Sequence, residues 1–276
     1  MNRKSILRSV CIVLAVLVVG VAGISITLAQ ERGPTVVESV APATTTSSST
    51  STSSSTSTSS TSTSTSSTTS TMVAEEPAST TLRRGDKGPA VAALQKDLHA
   101  LGYWLGARNE SFGPLTEQAV SAFQKVEGLT ADGIAGPATL AAIESARRPT
   151  TSAKGSLVEV DKARQVLFVV RDGAVAWTLN VSTGTEKPYQ VNGRTEMADT
   201  PPGRWTVDWV VNGTDVGELG ALYRPRYFHE DGIAVHGYHS VPNYPASHGC
   251  VRVTEAAMDW IWSQDLMPVG SAVWVH

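Results

Sequence analysis

One short run of the sequence, Ser-His-Gly-Cys-Val-Arg at 247–252, collects residue types that can carry out acyl transfer. Cys250 can supply a thiolate, the nucleophile that attacks a carbonyl carbon. His236 lies upstream and can take the thiol proton, although His239 is close enough in sequence to be a rival base. Gly249 lets the backbone approach a substrate, and the N–H groups of Gly249 and Cys250 could point into a site for the developing oxyanion.

The same residues also allow two alternatives, a chance arrangement and a metal site. A histidine beside a cysteine often arises by chance, and His-x-Cys with further histidines nearby also occurs in metal sites. Zinc sites normally draw on pairs of Cys or His ligands at set spacings, whereas Cys250 has no such partner cysteine. The pattern therefore favours a nucleophile, and we predict no metal site.

The amino-terminal segment is basic and then apolar. After Arg8 no charged residue appears from Ser9 to Ala29, a stretch long enough for a helix to cross the hydrocarbon of a membrane. Thr-Leu-Ala at 27–29 also offers a small-residue cleavage site. We predict a transmembrane signal-anchor over residues 1–29, with cleavage and secretion as the alternative. Either outcome exports the remainder of the chain to the cell envelope.

The cysteine count gives the exported thiol a particular meaning. Only Cys11 and Cys250 occur, and Cys11 lies inside the apolar segment, so the exported part cannot form an internal disulfide. Outside the cytosol an unpaired cysteine is open to oxidation unless it is protected or used. The compartment therefore strengthens the functional interpretation of Cys250.

Composition separates a linker from the folded part and excludes one class of partner. Residues 44–71 are all serine or threonine, which cannot bury enough apolar surface to offset the entropy of ordering. We predict a disordered Ser/Thr-rich linker over residues 30–80. The formal net charge of -3 provides no global basic face, so nucleic acid is not an expected partner.

Residues 81–147 show helical periodicity. Gly102 directly follows the first apolar stripe and ends its helix, and two later helices begin with Gly-Pro, since proline suits a first turn where its missing N–H has no partner. We predict a small all-α domain of three helices. The stripes consist of Val91, Leu94, Leu98 and Leu101, then Leu115, Ala119, Ala122, Phe123 and Val126, then Leu140 and Ile143.

Residues 155–276 show strand patterns, and these must position the candidate site. Arg-Asp-Gly at 171–173 separates two apolar runs as a hairpin turn does, and a short apolar strand leads directly to His236. A helix is expected from Thr254 to Ser263. We predict a mostly β, β-sandwich-like domain with one or two short helices, large enough for its own core. His236 then stands where a rigid strand meets a loop.

The helical part resembles a known family. The segments that carry the resemblance are Leu-Arg-Arg-Gly-Asp-Lys-Gly at 82–88, Leu-Gly-Tyr at 101–103, Ala-Val-Ser-Ala-Phe-Gln at 119–124 and Gly-Leu-Thr-Ala-Asp-Gly-Ile-Ala-Gly-Pro at 128–137. They are similar to the three-helix modules of the peptidoglycan-binding domain 1 family. The resemblance implies binding to the glycan strands or stem peptides of the cell wall.

The strand-rich part resembles the L,D-transpeptidase catalytic domain, also called YkuD-like. The matching segments are Val-Ser-Thr-Gly at 181–184, Thr-Pro-Pro-Gly-Arg-Trp at 200–205, Ile-Ala-Val-His-Gly at 233–237 and Ser-His-Gly-Cys-Val-Arg at 247–252. The resemblance implies that Cys250 is the acylated nucleophile and His236 its base, with Gly237 orienting His236 through its carbonyl. It assigns His248 a supporting role and Ser247 the holding of the turn.

The resemblance also implies a reaction and a set of site residues. Peptidoglycan stem peptides would be joined by 3→3 cross-links with release of D-alanine, and no metal or organic cofactor is required. Water as acceptor would instead make an L,D-carboxypeptidase or cross-link hydrolase, and a non-catalytic wall-binding protein is the third alternative. The expected catalytic residues are Cys250, His236, His248, Gly249 and Gly237, and the expected substrate-binding residues are Ser247, Arg252 and Tyr227.

The segment 220–228, which precedes His236, could form a lid over the acyl site. Its aromatic residues Tyr227 and Phe228 could equally belong to the core. As a further alternative, Arg224 and Arg226 could meet carboxylates of the stem peptide, because guanidinium groups bind carboxylates with two parallel hydrogen bonds.

Overall fold

The computed structural model describes residues 81–276 of the chain. The predicted signal-anchor at 1–29 and the predicted linker at 30–80 lie outside the described residues. Within residues 81–276 no helix is both long enough and apolar enough to cross a membrane.

Three short helices form the amino-terminal part of the described chain, as predicted. Each follows a glycine at its N-cap and has proline in its first turn. Val91, Leu98 and Phe123 from the first two helices are fully buried where the stripes meet. The helices are α1 (Pro89–Ala100), α2 (Pro114–Val126) and α3 (Pro137–Ser145). We call residues 81–147 the helical module.

The remainder of the chain is mostly β, with one further helix, and this confirms the predicted fold class. Helix α4 spans Glu255–Ser263, and the Thr254 side chain caps it by accepting from the Ala257 N–H. The strands are β1 (Leu157–Asp161), β2 (Val166–Arg171), β3 (Ala174–Asn180), β4 (Pro188–Val191), β5 (Arg194–Met197), β6 (Gly203–Thr206), β7 (Trp209–Val210), β8 (Thr214–Gly217), β9 (Gly220–Tyr227), β10 (Ala234–Tyr238), β11 (Val251–Thr254) and β12 (Ala272–Val275).

Two five-stranded sheets and a separate hairpin make up this domain. The first sheet has the order β3-β2-β1-β12-β6, with β1 and β12 parallel and the other neighbours antiparallel. The second has the order β11-β10-β9-β7, and β8 also pairs with β9. Strands β4 and β5 pair only with each other, through a turn at Asn192 and Gly193. The parallel pair β10 and β11 carries the candidate site.

The first sheet is buried on both faces. Leu157, Phe168 and Val170 pack into one core together with the helical module. Leu167 and Val169, which alternate with them along β2, pack into a second core with the second sheet and α4. The domain at 155–276 was expected to have its own core, but the helical module completes one of its two cores.

The segment 220–228, which could form a lid, is part of the second sheet. It forms strand β9 and pairs with β7, β8 and β10 in the interior of the second sheet. Tyr227 and Phe228 at its end are buried, as the alternative interpretation held. The strand pairing itself could not be predicted, because it depends on partners that are distant in sequence; that the β8–β9 hairpin covers the acyl site stays a prediction.

Candidate active site

Strands β10 and β11 bring the predicted nucleophile and base together. The two strands run parallel, with His236 opposite Arg252, and Cys250 immediately precedes β11. Cys250 therefore lies on the neighbouring strand, two residues before the position opposite His236. This arrangement separates the Cα atoms of Cys250 and His236 by about 8 Å. Residues two apart on an extended chain share a face. The side chains of Cys250 and Arg252 accordingly face the same side of the sheet as His236.

His236 is held as a neutral imidazole with a defined tautomer. Its side chain is buried, and Nδ1 lies 2.9 Å from the carbonyl oxygen of Gly237. A carbonyl can only accept, so Nδ1 carries the hydrogen and Nε2 is left with its lone pair. Burial lowers the pKa of His236 to about 4, helped by the charge of Arg252 and opposed by the Gly237 carbonyl. The hydrogen bond is the one that the family resemblance implies.

Gly237 has a packing reason to be glycine. A Cβ atom at this position would lie 2.7 Å from a ring carbon of Tyr223 and 3.0 Å from the Cα atom of Glu255. The first distance is shorter than a Cβ atom tolerates, and the second is tighter than most Cβ contacts. A side chain here would push β10 away from α4 and displace the carbonyl that orients His236.

The thiol of Cys250 is also uncharged in this state. Partial burial raises the pKa of the Cys250 thiol to about 11, while a backbone hydrogen bond from Ala234 and the charge of Arg252 act in the opposite direction. The sulfur also lies 3.8 Å from the carbonyl oxygen of Gly232. Cys250 and His236 are thus a neutral pair at neutral pH, because burial disfavours the charged form of each.

Ser247 and Gly249 shape a tight turn before Cys250. The Ser247 hydroxyl donates to the Cys250 carbonyl oxygen at 2.6 Å and accepts the Gly249 N–H at 3.0 Å. Gly249 has a φ of 144°, and a Cβ atom there would lie 2.8 Å from the Asp199 carbonyl oxygen. Because its N–H is used inside the turn, Gly249 does not offer the free oxyanion donor expected from the sequence.

Thr200 supports this turn and was assigned no role from the sequence. Its buried hydroxyl donates to the Gly249 carbonyl oxygen at 2.5 Å and accepts the Gly184 N–H at 3.0 Å. The carbonyl of Thr183 accepts from the N–H of Ser247. Both threonines lie in segments that carry the resemblance to the catalytic domain. Their place in these segments is the one feature of the sequence that indicates a role in supporting the turn.

The β4–β5 hairpin borders the site, and the sequence did not indicate this. The ring of Tyr189 in β4 lies 4.7 Å, centroid to centroid, from the imidazole of His248, which is exposed. Burial and the Glu196 carboxylate raise the pKa of Tyr189. Lys162 joins the two ends of this hairpin, because its Nζ lies 2.8 Å from a Glu186 oxygen and 2.6 Å from an Asp199 oxygen.

Arg252 lies beside the turn. Its guanidinium carbon is 4.2 Å from the ring centroid of Tyr238, and it donates to the Ala246 carbonyl oxygen at 3.1 Å. His239 follows β10 in an exposed position, with its ring stacked obliquely on that of Tyr238 at 4.3 Å. His236, in contrast, is buried within β10. The structure therefore places the two candidate bases in different surroundings.

Three residues expected to meet substrate are occupied by protein contacts. Tyr227 is buried, and its hydroxyl donates to Asp215 at 2.7 Å; burial, Asp215 and the Cys250 charge raise its pKa. Arg226 is fully buried, donates to the Met267 carbonyl at 2.5 Å and lies over the Trp262 ring. Arg224 pairs with Asp259 at 2.7 Å. The expectation that Arg226 binds stem carboxylates was wrong, since its guanidinium is enclosed by the protein.

Among residues 81–276 no three His, Cys, Asp or Glu side chains gather as a metal site would require. The polar groups around Cys250 are instead the hydroxyls of Ser247 and Thr200, backbone carbonyls and the Arg252 guanidinium. Such a set can orient a thiol and a base and bind a carbonyl oxygen.

Comparisons with known proteins agree with this geometry. The L,D-transpeptidase catalytic domain model matches residues 155–275, and a peptidoglycan binding domain model matches residues 87–143. The crystal structure of an L,D-transpeptidase from Xylanimonas cellulosilytica is 44% identical, with a TM-score of 0.70 over 73% of this chain and 100% of that one.

Two curated proteins are similar over shorter stretches. They are the zinc D-Ala-D-Ala carboxypeptidase of Streptomyces albus G, 49% identical over 65 residues, and the N-acetylmuramoyl-L-alanine amidase CwlL of Bacillus licheniformis, 42% identical over 88 residues. The matches cover 22% and 30% of this chain and 25% and 24% of those proteins, so the chain spans about a quarter of their length. The matched crystal structure, in contrast, is covered over its whole length, and this chain therefore belongs to the L,D-transpeptidase family and carries a peptidoglycan-binding module before its catalytic domain.

Proposed function

We propose that this chain is a cysteine-dependent L,D-transpeptidase that joins peptidoglycan stem peptides through 3→3 links outside the cytoplasm. The observation that carries the proposal is the neutral pair of Cys250 and His236 on adjacent parallel strands. The Nδ1 hydrogen of His236 is committed to Gly237, so Nε2 is the atom that can accept the thiol proton.

The first half-reaction forms a thioester. The sulfur of Cys250 attacks the carbonyl carbon of the third stem residue, a diamino acid, while its proton passes to Nε2 of His236. The bond from that carbonyl to D-alanine then breaks, and His236 returns the proton to the leaving amine. Because both groups are neutral at rest, proton transfer accompanies the attack instead of preceding it.

The second half-reaction transfers the acyl group. An amine of a neighbouring stem attacks the thioester and gives a proton to His236, which protonates the departing sulfur. The product is a 3→3 cross-link and the free thiol. The Cys250 N–H is the oxyanion donor that we assign, since the Ser247 hydroxyl engages the Gly249 N–H.

The surrounding residues have supporting roles in this proposal. Ser247 and Gly249 fix the turn that presents Cys250, and Gly237 fixes the ring of His236. Arg252 favours the thiolate as it forms, because its charge lowers the pKa of Cys250. We assign His248 to the substrate side of the site, beside Tyr189, where both rings can contact a stem peptide.

The test incubates the full-length chain with tetrapeptide muropeptides and follows the products by mass spectrometry. We expect 3→3 dimers and free D-alanine, and neither from Cys250→Ala. Tripeptide without dimer would mean that water is the acceptor and that the chain is an L,D-carboxypeptidase or hydrolase. Full activity of Cys250→Ala would overturn the cysteine mechanism. Absence of both products from the unmodified chain would leave wall binding as the function.

The place of action is part of the same proposal. An exported chain with a peptidoglycan partner would work in the cell envelope, held by residues 1–29 as an anchor or released after their cleavage. Fractionation of cells into membrane, wall and medium, with detection of the carboxyl terminus, separates these two outcomes.

A further inference from the structure

A cleft of about 260 Å³ opens where the helical module meets the catalytic domain. It lies outside the site around Cys250, and the proposed reaction does not use it. Aromatic rings form most of its wall. The lining residues are His99, Trp104, Leu105, Gly106, Trp177 and Trp260. We call it the aromatic cleft.

Both parts of the protein contribute its rings. His99 lies near the end of α1 and Trp104 just beyond it, whereas Trp177 belongs to β3 and Trp260 to α4. The ring centroids of His99 and Trp177 are 5.1 Å apart, those of Trp177 and Trp260 5.9 Å, and those of Trp104 and Trp260 5.3 Å. All four side chains are only half-buried, so part of each ring remains open to a ligand.

The indole N–H groups of the cleft are free of protein partners. Elsewhere in the domain, Trp205 donates to the Pro201 carbonyl at 3.0 Å and Trp262 to the Arg224 carbonyl at 2.8 Å. Within residues 81–276, the three cleft tryptophans donate to no protein acceptor. A ligand that combines an apolar ring face with oxygen acceptors would use both the rings and these donors.

The charge around the cleft narrows the class of ligand. Burial and the positive charges of Arg108 and Arg148 lower the pKa of His99, so its imidazole is neutral at pH 7. Arg148 is fixed at the junction, where it donates to the carbonyls of Ala176 at 2.7 Å and Ala100 at 3.0 Å. The cleft therefore has a neutral aromatic wall and a positive rim. An uncharged ring that carries anionic substituents complements both.

We propose that the aromatic cleft binds a sugar ring of the wall glycan, an N-acetylated hexosamine. The C–H face of the sugar packs against the indoles, its hydroxyl and acetamido oxygens accept from the indole N–H groups, and carboxylates of the attached peptide face Arg108 and Arg148. The proposal rests on the proposed function in taking peptidoglycan as the partner, and it adds a glycan site away from Cys250.

The experiment measures binding by calorimetry to the full-length chain carrying Cys250→Ala, which prevents turnover. Chitotetraose is the sugar probe, and a sugar-free tetrapeptide stem is the comparison. We expect chitotetraose to bind and Trp177→Ala to weaken its binding about tenfold or more, since one aromatic stacking partner and its buried area are lost. Trp177→Phe retains a ring and should lose less than Trp177→Ala.

Trp209→Ala is the matched control, because Trp209 is an exposed tryptophan outside the cleft. It should leave chitotetraose affinity unchanged. Arg108→Glu is a second variant at an exposed position, and we expect it to weaken binding of a muropeptide-bearing glycan but not of chitotetraose. Equal affinities of Trp177→Ala and its parent, or an equal loss in Trp209→Ala, would overturn the proposal.

Transpeptidation of sugar-free stems, measured with Cys250 intact, separates this proposal from the one on which it rests. Trp177→Ala should retain that activity and a melting temperature within a few degrees of the parent. If glycan binding is absent while transpeptidation is present, the glycan site alone is wrong. If glycan binding is present and transpeptidation is absent, the proposed enzyme function alone is wrong.

Discussion

The two faces of the first sheet pack against different partners. Phe168 and Val170 face the helical module, and Leu167 and Val169 face the second sheet, which carries Cys250. Since successive residues of a strand point to opposite faces, strand β2 belongs to two cores at once. The helical module is therefore part of the packing of the catalytic domain and not an attachment on a tether.

Polar contacts strengthen this junction. Lys125 of α2 donates to the Gln165 carbonyl at 3.0 Å and to the Asn180 side chain at 2.5 Å. Gln118 donates to the Val241 carbonyl at 3.1 Å, and Asn243 donates to the Ala131 carbonyl at 2.8 Å. The last two contacts lie on the loop between β10 and the turn at Ser247. The helical module thus makes hydrogen bonds to the loop that leads to Ser247 and the active site. The opposite face of the first sheet contributes apolar packing.

The largest expected effect is on catalysis, and it comes from a substitution in the active site and not in either core. His236→Ala should lower kcat by about 10²–10⁴, the range for loss of a general base, in the muropeptide assay. His239→Ala should stay within about threefold, because His239 is exposed and its ring stacks on Tyr238. The reverse order of the two effects would make His239 the base.

A matched pair of core variants tests whether the two faces unfold together. Phe168→Ala should cost about 3–5 kcal/mol and Leu167→Ala about 2–5 kcal/mol of unfolding free energy, because both side chains are fully buried. Urea denaturation followed by fluorescence and circular dichroism measures both. We expect one cooperative transition in each variant, since β2 connects the cores. Two separate transitions in Phe168→Ala would show that the module unfolds independently.

The pH dependence of cysteine alkylation tests the neutral pair. With a Cys250 pKa of about 11, the thiolate fraction should rise about tenfold per pH unit, so the iodoacetamide rate should rise about a hundredfold from pH 7 to 9. His236, with a pKa of about 4, stays neutral throughout this range. Arg252→Ala removes a charge that lowers the Cys250 pKa, and should slow alkylation at each pH. A rate that is flat from pH 6 to 9 would contradict the neutral pair and indicate a preformed thiolate–imidazolium pair.

The smallest expected effect concerns the polar part of the junction. Lys125→Met keeps most of the length of the side chain but leaves the side-chain oxygen of Asn180 without a donor, which should cost about 1–3 kcal/mol of unfolding free energy; the Gln165 carbonyl still accepts the Val181 N–H. Lys87→Met changes an exposed lysine of the same module and serves as control. Urea denaturation provides the comparison. Equal small effects in the two variants would mean that apolar packing alone holds the module in place.

Features set by local chemistry could be predicted from the sequence. Gly-Pro pairs begin α2 and α3, and the Asp172-Gly173 and Asn192-Gly193 turns adopt positive φ at both positions, as tight hairpins require. The adjacency of His236 and Cys250 was also expected, although through the family resemblance. For the helix starts and the turns, the sequence pattern and the structure agree because the residues that determine each feature lie within a few positions of each other.

Features set by distant partners could not be predicted. The apolar run of β2 predicted a strand but did not show that both of its faces are buried or that the helical module covers one of them. The pairing of segment 220–228 with three strands depends on residues that are distant in sequence. The use of the Gly249 N–H by Ser247 depends on one side-chain rotamer. The position of Trp260 on α4 did not show that its half-buried ring lines the aromatic cleft.

The double burial of β2 also limits how such a protein can be rearranged. A fragment that begins at residue 155 would expose Leu157, Phe168 and Val170 to water, and an uncovered apolar sheet face tends to aggregate. Replacing the module with an unrelated wall-binding domain would leave the same face bare. An exchange or redesign of either part therefore needs complementary changes on both sides of the shared core.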